Sequence, residues 1–207
     1  SQWIFVHAQM ESDYDVLDNT ELKLTGRINT ENQRNFFLAT KDNQELVVDD
    51  TSKLFDGSVN FSVKHQISED WNVELRNYFT IYETDIVYTY RESGDEYDRY
   101  SFDQELAKYE LQSNYMLGRS HVLTFGGGLN YETATAERLA DGSKSADLYY
   151  GFLQDDWLVS DDINIISSLR YDYHSVYSDN LSPKIAASYE IFNDLILRAS
   201  IGTGFKA

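Results

Sequence analysis

Residues 57–81 read GSVNFSVKHQISEDWNVELRNYFTI, and the parity of this stretch decides the fold. Val59, Phe61, Val63 and Ile67 share one parity, while Ser58, Asn60, Ser62, Lys64 and Gln66 hold the other. After Ser68-Glu69-Asp70 the alternation resumes, with Trp71, Val73, Leu75, Phe79 and Ile81 against Asn72, Glu74, Arg76 and Thr80. A period of two, a short turn and a second such run spell an antiparallel hairpin with one apolar and one polar face. Working outward, His121–Tyr131, Lys184–Ile191 and Leu195–Phe205 repeat the pattern, and helical spacing is nowhere comparably sustained.

Short and long connections alternate between these runs. Leu17-Asp18-Asn19, Ser68-Glu69-Asp70, Gly118-Arg119-Ser120, Ser160-Asp161-Asp162 and Phe192-Asn193-Asp194 are tight turns rich in turn formers. Longer polar stretches lie near Lys41–Asp50, Glu92–Tyr100, Ala134–Ala146 and Asp172–Asn180. Together they predict about ten strands in five hairpins, an all-β antiparallel up-and-down meander. Runs of about ten residues cross a bilayer when tilted, with short turns on the periplasmic side and long loops outside. Tyr14, Trp71, Tyr115, Trp157 and Phe192 sit beside the short turns. Tyr82, Tyr88, Tyr90, Tyr131, Tyr171 and Tyr173 lie toward the long loops. Aromatic rings at both ends of an apolar band are what two lipid–water boundaries favour, and they predict a transmembrane β-barrel wall rather than a soluble secreted β-sandwich that binds glycans.

Composition is consistent with that reading and closes other routes. The chain has 207 residues, a formal net charge of -18, 16 Tyr, one Pro and no Cys. Proline cannot donate to a ladder, so its near absence suits a chain made of strands. Without cysteine there is neither a disulfide scaffold nor a thiolate metal site. The acidic balance argues against a nucleic-acid partner, whose phosphates demand a basic surface. No apolar run is long enough for a spanning helix, a test that barrels escape because only alternate residues of a strand meet lipid.

The last third of the chain carries more specific marks. Residues 149–175 read YYGFLQDDWLVSDDINIISSLRYDYHS, and residues 181–207 read LSPKIAASYEIFNDLILRASIGTGFKA. They resemble the middle barrel of the TonB-dependent outer-membrane transporters. In that family an aromatic–Gln–Asp–acidic–Trp strand leads to a Gly-Leu-Arg-Tyr-Asp-like strand, then to Ser-Pro-Arg and a strand ending Gly-x-Gly-Phe-Arg-Ala-Pro. Gln154, Asp155 and Trp157 match the first; Leu169, Arg170, Tyr171 and Asp172 match the second. Ser182, Pro183 and Lys184 match the third, and Gly202, Gly204, Phe205, Lys206 and Ala207 the last. Lysine replaces arginine at 184 and 206, and Ser168 stands where glycine is usual. The resemblance implies a 22-stranded barrel with a plug in its lumen. Residues 1–207 are then expected to be a partial barrel domain without the plug, an internal piece of a longer receptor in the outer membrane of a Gram-negative bacterium. The implied function is energy-coupled import of a scarce nutrient (siderophore, haem, cobalamin or glycan). The implied partners are the plug, the TonB complex through the plug region, outer-membrane lipid and the small nutrient. Neither enzymatic activity nor a cofactor is expected.

Several residues invite chemistry and are weighed against plainer roles. Asp172 and His174, at the outer end of a strand, resemble the Asp-x-His pair of omptin proteases, which are self-contained ten-stranded barrels. The one Asp-x-Asp, Asp13 and Asp15, lies beside a short turn on the opposite side, so no catalytic residue is assigned and the pair is kept as a ligand-facing candidate at the extracellular mouth. His7 faces the lumen if Ile4, Val6, Ala8 and Met10 face lipid, and Trp3 and Phe5 blur that assignment; His65 and His121 read as interface residues. Asp95, Glu96 and Asp98, with Asp49 and Asp50, are oxygen donors for calcium but lack the spacing of an EF-hand loop, so no metal site is assigned. Gly126-Gly127-Gly128 lies within a strand with no helix after it, which fits close approach of another backbone, such as the plug, or wall curvature rather than a phosphate cradle. Glu74, Arg76, Lys108, Glu110, Arg170, Lys184 and Arg198 are expected on the lumen face against the plug. On intact cells, cysteines placed in the 41–50, 92–100 and 134–146 stretches should react with a membrane-impermeant maleimide. Cysteines at Ser68 or Asp161 should not, and the opposite pattern would invert the topology.

Overall fold

The computed structural model describes residues 2–41, 44–139, 141–192 and 195–204. They form ten strands: β1 (Gln2–Leu17), β2 (Thr20–Lys41), β3 (Gln44–Ser68), β4 (Trp71–Tyr90), β5 (Glu96–Leu117), β6 (His121–Ala136), β7 (Ser143–Ser160), β8 (Ile163–His174), β9 (Ser178–Phe192) and β10 (Leu195–Gly202). Each strand pairs antiparallel with the next, in the order β1-β2-β3-β4-β5-β6-β7-β8-β9-β10. This is the expected up-and-down meander. The sheet is open: among the described residues β1 pairs with β2 alone and β10 with β9 alone.

Register turns the alternation of each strand into two continuous faces, because directly paired residues project to the same side. One row runs Tyr14–Leu22–Val63–Leu75–Leu111–Gly127–Gly151–Tyr171–Leu181. The adjacent row runs Asp13–Lys23–Ser62–Arg76–Glu110–Gly128–Tyr150–Asp172–Asn180. A slip of one residue at any ladder would exchange the two sets, so burying either face in lipid fixes the register. The apolar face holds Val59, Phe61, Leu75, Leu129, Leu153, Leu197 and Ile201, all more than a third exposed, as a lipid-facing surface requires. Four of the five most buried residues (Val48, Ala136, Ser62 and Asp172) lie on the polar face, which is where crowding places the concave side.

The long polar stretches are mostly strand, a departure from the expected loops. Gln44–Lys41 through Asp50–Asn35 is an unbroken ladder, which shrinks the first connection to residues 42–43, outside the described residues. β5 begins at Glu96, β6 runs on to Ala136, β7 begins at Ser143, and β8 and β9 come within four residues of meeting. A ladder satisfies its own backbone donors and acceptors whichever side chains it carries, and polar residues on both faces suit a hairpin that stands in water. β2, β3 and β5 have 22, 25 and 22 residues, more than twice the roughly ten that a tilted bilayer crossing needs. On β3 the apolar face ends at Phe55 and continues with Lys53, Thr51 and Asp49, so the excess projects on the side away from the short turns. The last short turn, 193–194, lies outside the described residues.

The aromatic girdles are corrected in one respect. At the short-turn end Trp71 meets Tyr115 edge-on at 6.3 Å and donates its indole N–H to Ser113 Oγ at 2.7 Å. Nearby, His121 stacks on Trp157 at 5.4 Å and hydrogen-bonds Asp155 at 3.0 Å, while His65 bonds Thr20 at 2.8 Å. At the other end Tyr131, Tyr149, Tyr171 and Tyr173 lie on the apolar face, but Tyr82, Tyr88 and Tyr90 lie on the polar face. Height along the strand was the right measure of where a ring sits; parity decides which side it faces. In a full-length protein refolded into bilayers, Leu75→Arg should cost about 2–4 kcal/mol by urea titration, the price of a cation at mid-depth on the lipid face. Asn60→Arg, on the polar face, should stay within roughly 0.5 kcal/mol.

Candidate functional site

The polar face divides into two zones along the strands. One is a closed charge network that begins near the short turn before β4 and reaches the far end of β8. Arg76 bonds Glu74 at 2.6 Å and Glu110 at 3.0 Å, and Tyr150 donates its hydroxyl to Glu110 at 2.7 Å. Arg170 lies 3.9 Å over the Tyr150 ring and reaches both oxygens of Asp172, the shortest contact being 2.7 Å. The network thus runs across β4, β5, β7 and β8. Its geometry depends on glycine: a Cβ at Gly128 would sit 2.4 Å from the Tyr109 carbonyl and 2.6 Å from the Tyr150 hydroxyl. At Gly126 it would sit 2.3 Å from the Leu111 carbonyl and 2.8 Å from the Phe152 ring. The close approach expected of the glycine run therefore comes from the adjacent strands β5 and β7. Tyr150 and Phe152, stacked at 6.4 Å, lie down over the places that side chains would have filled.

Farther from the short turns the face turns aromatic. Two successive rows, Trp3–Gln33–Ser52–Ile86–Tyr100 and Phe5–Glu31–Leu54–Thr84–Phe102, cross β1 to β5. Over β2–β5 they line, with Tyr82, a cleft of about 450 Å³. Its walls are rings and aliphatic carbon; its polar groups are Glu31, Gln33, Ser52 and Thr84. Tyr82 meets Phe102 edge-on at 6.1 Å, and the Arg138 guanidinium lies 5.3 Å over Tyr100. On β1 the rings of Trp3, Phe5 and His7 form a stacked ladder with centroids 5.7 and 6.4 Å apart, and Trp3 donates to Glu31 at 2.6 Å. This settles His7: it shares the polar face with Trp3 and Phe5, while Ile4, Val6, Ala8 and Met10 take the other. Above the cleft, Phe37, Tyr88, Tyr90 and Tyr97 make a second ring cluster, with Lys41 5.1 Å over Tyr90. Asp50 sits in the next row beside Tyr88; burial pushes its carboxyl above the ordinary value and leaves one oxygen without a hydrogen-bond partner. Such a surface offers stacking to flat or sugar-like ligands and a few fixed hydrogen-bonding groups, the composition typical of ligand sites.

The sequence candidates separate in space. Asp172 and His174 share the polar face of β8, but the Asp172 carboxylate is taken by Arg170, and His174 accepts the Val176 amide at 3.1 Å and packs 4.8 Å from Tyr177. Asp13 and Asp15 lie in the ladder next to the first short turn, at the opposite end of the wall from His174. Asp98 pairs with Arg138 at 3.0 Å, while Asp49 pairs with Arg91, which holds the Asp49 carboxyl below its ordinary value chiefly by hydrogen bonding. Asp95, Glu96 and Asp98 are thus not gathered round one point, and among the described residues no three acidic or histidine side chains converge as metal ligands. Glu74, Arg76 and Glu110 belong to the network; Lys108 shares its face. Lys184 and Arg198 flank a hollow of about 430 Å³ floored by small residues of β8–β10. The cleft is not legible in the sequence because strand height places Tyr82 at an interface, Tyr100 falls at the end of a polar stretch, and only cross-strand register assembles these residues.

Asp172 is 4 % exposed, so removing its partner strands a carboxylate. Arg170→Ala should destabilise the folded protein by about 1–3 kcal/mol in chemical unfolding. Arg170→Ala with Asp172→Ala should recover most of that loss; additive losses would show that the pair is uncoupled.

Comparisons with known proteins agree with this architecture. The chain resembles the ferric enterobactin receptor PfeA of Pseudomonas aeruginosa (a mutant form), with a TM-score of 0.68 and 13% identity over 97% of this chain and 33% of that one. It also resembles the siderophore receptor PirA of Acinetobacter baumannii, with a TM-score of 0.63 and 13% identity over 91% of this chain and 34% of that one. The outer membrane transporter YddB of Escherichia coli aligns with a TM-score of 0.50 and 14% identity over 93% of this chain and 37% of that one. The chain therefore spans about a third of the length of these structures. No curated protein sequence matches it. The family described as "TonB dependent receptor-like, beta-barrel" matches residues 9–207, and with an open ten-stranded meander of one apolar and one polar face the chain belongs to that family.

Proposed function

We propose that these strands are part of the barrel wall of an outer-membrane receptor that imports a scarce nutrient by energy-coupled active transport, with a ferric siderophore as the first class of ligand to test. The family match over residues 9–207 carries the reading. In it, the apolar face meets lipid, the polar face encloses a plug supplied by the rest of the protein, and the TonB complex acts through that plug. No bond of the nutrient is made or broken by this wall. The aromatic cleft on β2–β5 lies on the enclosed face and toward the end away from the short turns, where a ligand entering from outside would first meet the lumen. Siderophore receptors among the structural neighbours put siderophores ahead of haem, cobalamin and glycans, the other nutrients the reading admits.

The test is uptake by iron-starved cells whose only receptor is the full-length protein. Radiolabelled iron should enter with one member of a panel of catecholate, hydroxamate and mixed siderophores, and entry should stop when TonB is deleted or the proton gradient is collapsed. Tyr82→Ala with Phe102→Ala should weaken binding by about ten-fold, roughly 1.4 kcal/mol, at unchanged surface expression. Uptake that persists without TonB would overturn the energy-coupled reading.

A further inference from the structure

The charge of the aromatic cleft on β2–β5 is one-sided. Among its lining residues Glu31 alone carries a full charge, set against the rings of Tyr82, Tyr100 and Phe102. Glu31 has no ion-pair partner among the described residues. One of its oxygens accepts the Trp3 indole N–H at 2.6 Å, which leaves the other to face a ligand. Asp50, one same-face position beyond Ser52, has no cation either, and one of its oxygens has no hydrogen-bond partner. The guanidiniums that border the cleft are already neutralised. Arg27 holds Asp56 at 3.1 Å, with Asp56 cross-strand from Tyr82, and Arg138 holds Asp98 at 3.0 Å, with Asp98 cross-strand from Tyr88. Lys41 stands over Tyr90 near the hairpin tip, where Glu92 and Asp95 line the same small hollow. Lys144 shares the row of Tyr82 but lies on β7, diagonal to Glu132. The rings of this face do take cations: Arg138 lies 5.3 Å over Tyr100, and Lys41 5.1 Å over Tyr90.

We infer that this cleft selects a nutrient carrying a protonated amine and rejects ferric chelates of net negative charge. The inference deepens the transport reading above and rests on it for the cleft's place on the ligand's path. An ammonium group among Tyr82, Tyr100 and Phe102 is attracted by the electron-rich rings and by the free oxygen of Glu31 together. An anionic chelate brings like charge against Glu31, with no uncommitted cation in the lining to offset it, and the apolar walls strengthen the repulsion. A neutral sugar-like ligand stacks on the same rings and bonds Gln33, Ser52 and Thr84, but gives Glu31 no opposite charge. Of the three, the cationic ligand alone uses both the rings and the unpaired acid.

The test compares two ferric chelates that differ by one charge: ferrioxamine B, which carries a free ammonium group, and its N-acetylated derivative, which is neutral. Binding to the purified full-length protein is read by equilibrium dialysis with radiolabelled iron. Ferrioxamine B should bind about ten-fold more tightly than the acetylated form, and anionic ferric enterobactin more weakly than either. The preference should shrink at high salt. Glu31→Gln keeps a carbonyl to accept the Trp3 indole and should bring the ratio of the first two affinities close to one. The wild-type comparison and its salt dependence stand whatever the folding yield of that variant. Equal affinity for the ammonium and acetylated forms overturns the inference. So does tighter binding of ferric enterobactin, a ratio unchanged in Glu31→Gln, or no binding of ferrioxamine B. TonB-dependent import of ferric enterobactin without any preference for the ammonium form overturns this inference and leaves the transport reading intact. Uptake that persists without TonB, with the ten-fold preference in place, overturns the energy-coupled reading alone.

Discussion

Every feature of this wall follows from the demand that backbone amides and carbonyls find partners where water does not reach. A strand crossing lipid has no internal hydrogen bonds, so each must be paired along its whole length with neighbours. The meander does this with the shortest available connections at one end, and every consecutive pair from β1–β2 to β9–β10 is antiparallel. Once the ladders exist, register is the remaining freedom, and the lipid removes it: Leu75 and Arg76 cannot trade places without putting a guanidinium in hydrocarbon. The same ladders continue past the bilayer, where water could satisfy the backbone but the hairpins stay paired, as the 22 register pairs from Thr20–His65 to Lys41–Gln44 show.

Glycine works on both faces of the sheet, with different results. At Gly126 and Gly128 its absent side chain is replaced at once by the rings of Phe152 and Tyr150, and the tight approach of neighbouring backbone leaves no room for even a methyl group. These positions let the concave face close over itself. At Gly26, on the apolar face, a Cβ would meet nothing within 4 Å, whereas at Gly127 on the same face it would lie 2.7 Å from the Tyr150 carbonyl. The neighbouring strands at each position, rather than the face, decide whether a glycine makes a joint or a hollow.

What the sequence made legible was what depends on period two. Strand count, the apolar and polar faces, the short turns at 18–19, 69–70 and 161–162, and the placement of Ser62, Arg76 and Asn130 on the polar side all follow from parity and turn chemistry. Hairpin tips were misjudged as loops at Lys41–Asp50 because polarity on both faces carries no alternation to read. The aromatic cleft was hidden for another reason. Trp3, Gln33, Ser52, Ile86 and Tyr100 lie on five strands, and they become neighbours through ladder register that no single stretch of sequence contains. Tyr82 shows the limit most plainly: its height along β4 suggested an interface ring, while its parity with Arg76 sends it inward.

The division of the polar face into a charged zone and an aromatic one has a physical consequence for recognition. Glu74, Arg76, Glu110, Arg170 and Asp172 satisfy one another, with Tyr150 bridging the two halves. A ligand or a neighbouring domain that wished to bind there would have to break charge-assisted hydrogen bonds before making its own, so the zone offers little net attraction. The aromatic rows are in the opposite condition. Trp3 and Phe5, on the edge strand, are exposed at 60 % and 47 %, Tyr100 and Phe102 are half-buried, and the rows hold few committed polar groups beyond the Trp3–Glu31 bond. Apolar area still open to water is what a ligand can bury with gain. Within one continuous sheet the charge network is closed on itself while the aromatic rows keep surface open to contact, because only in the latter is apolar area left unburied.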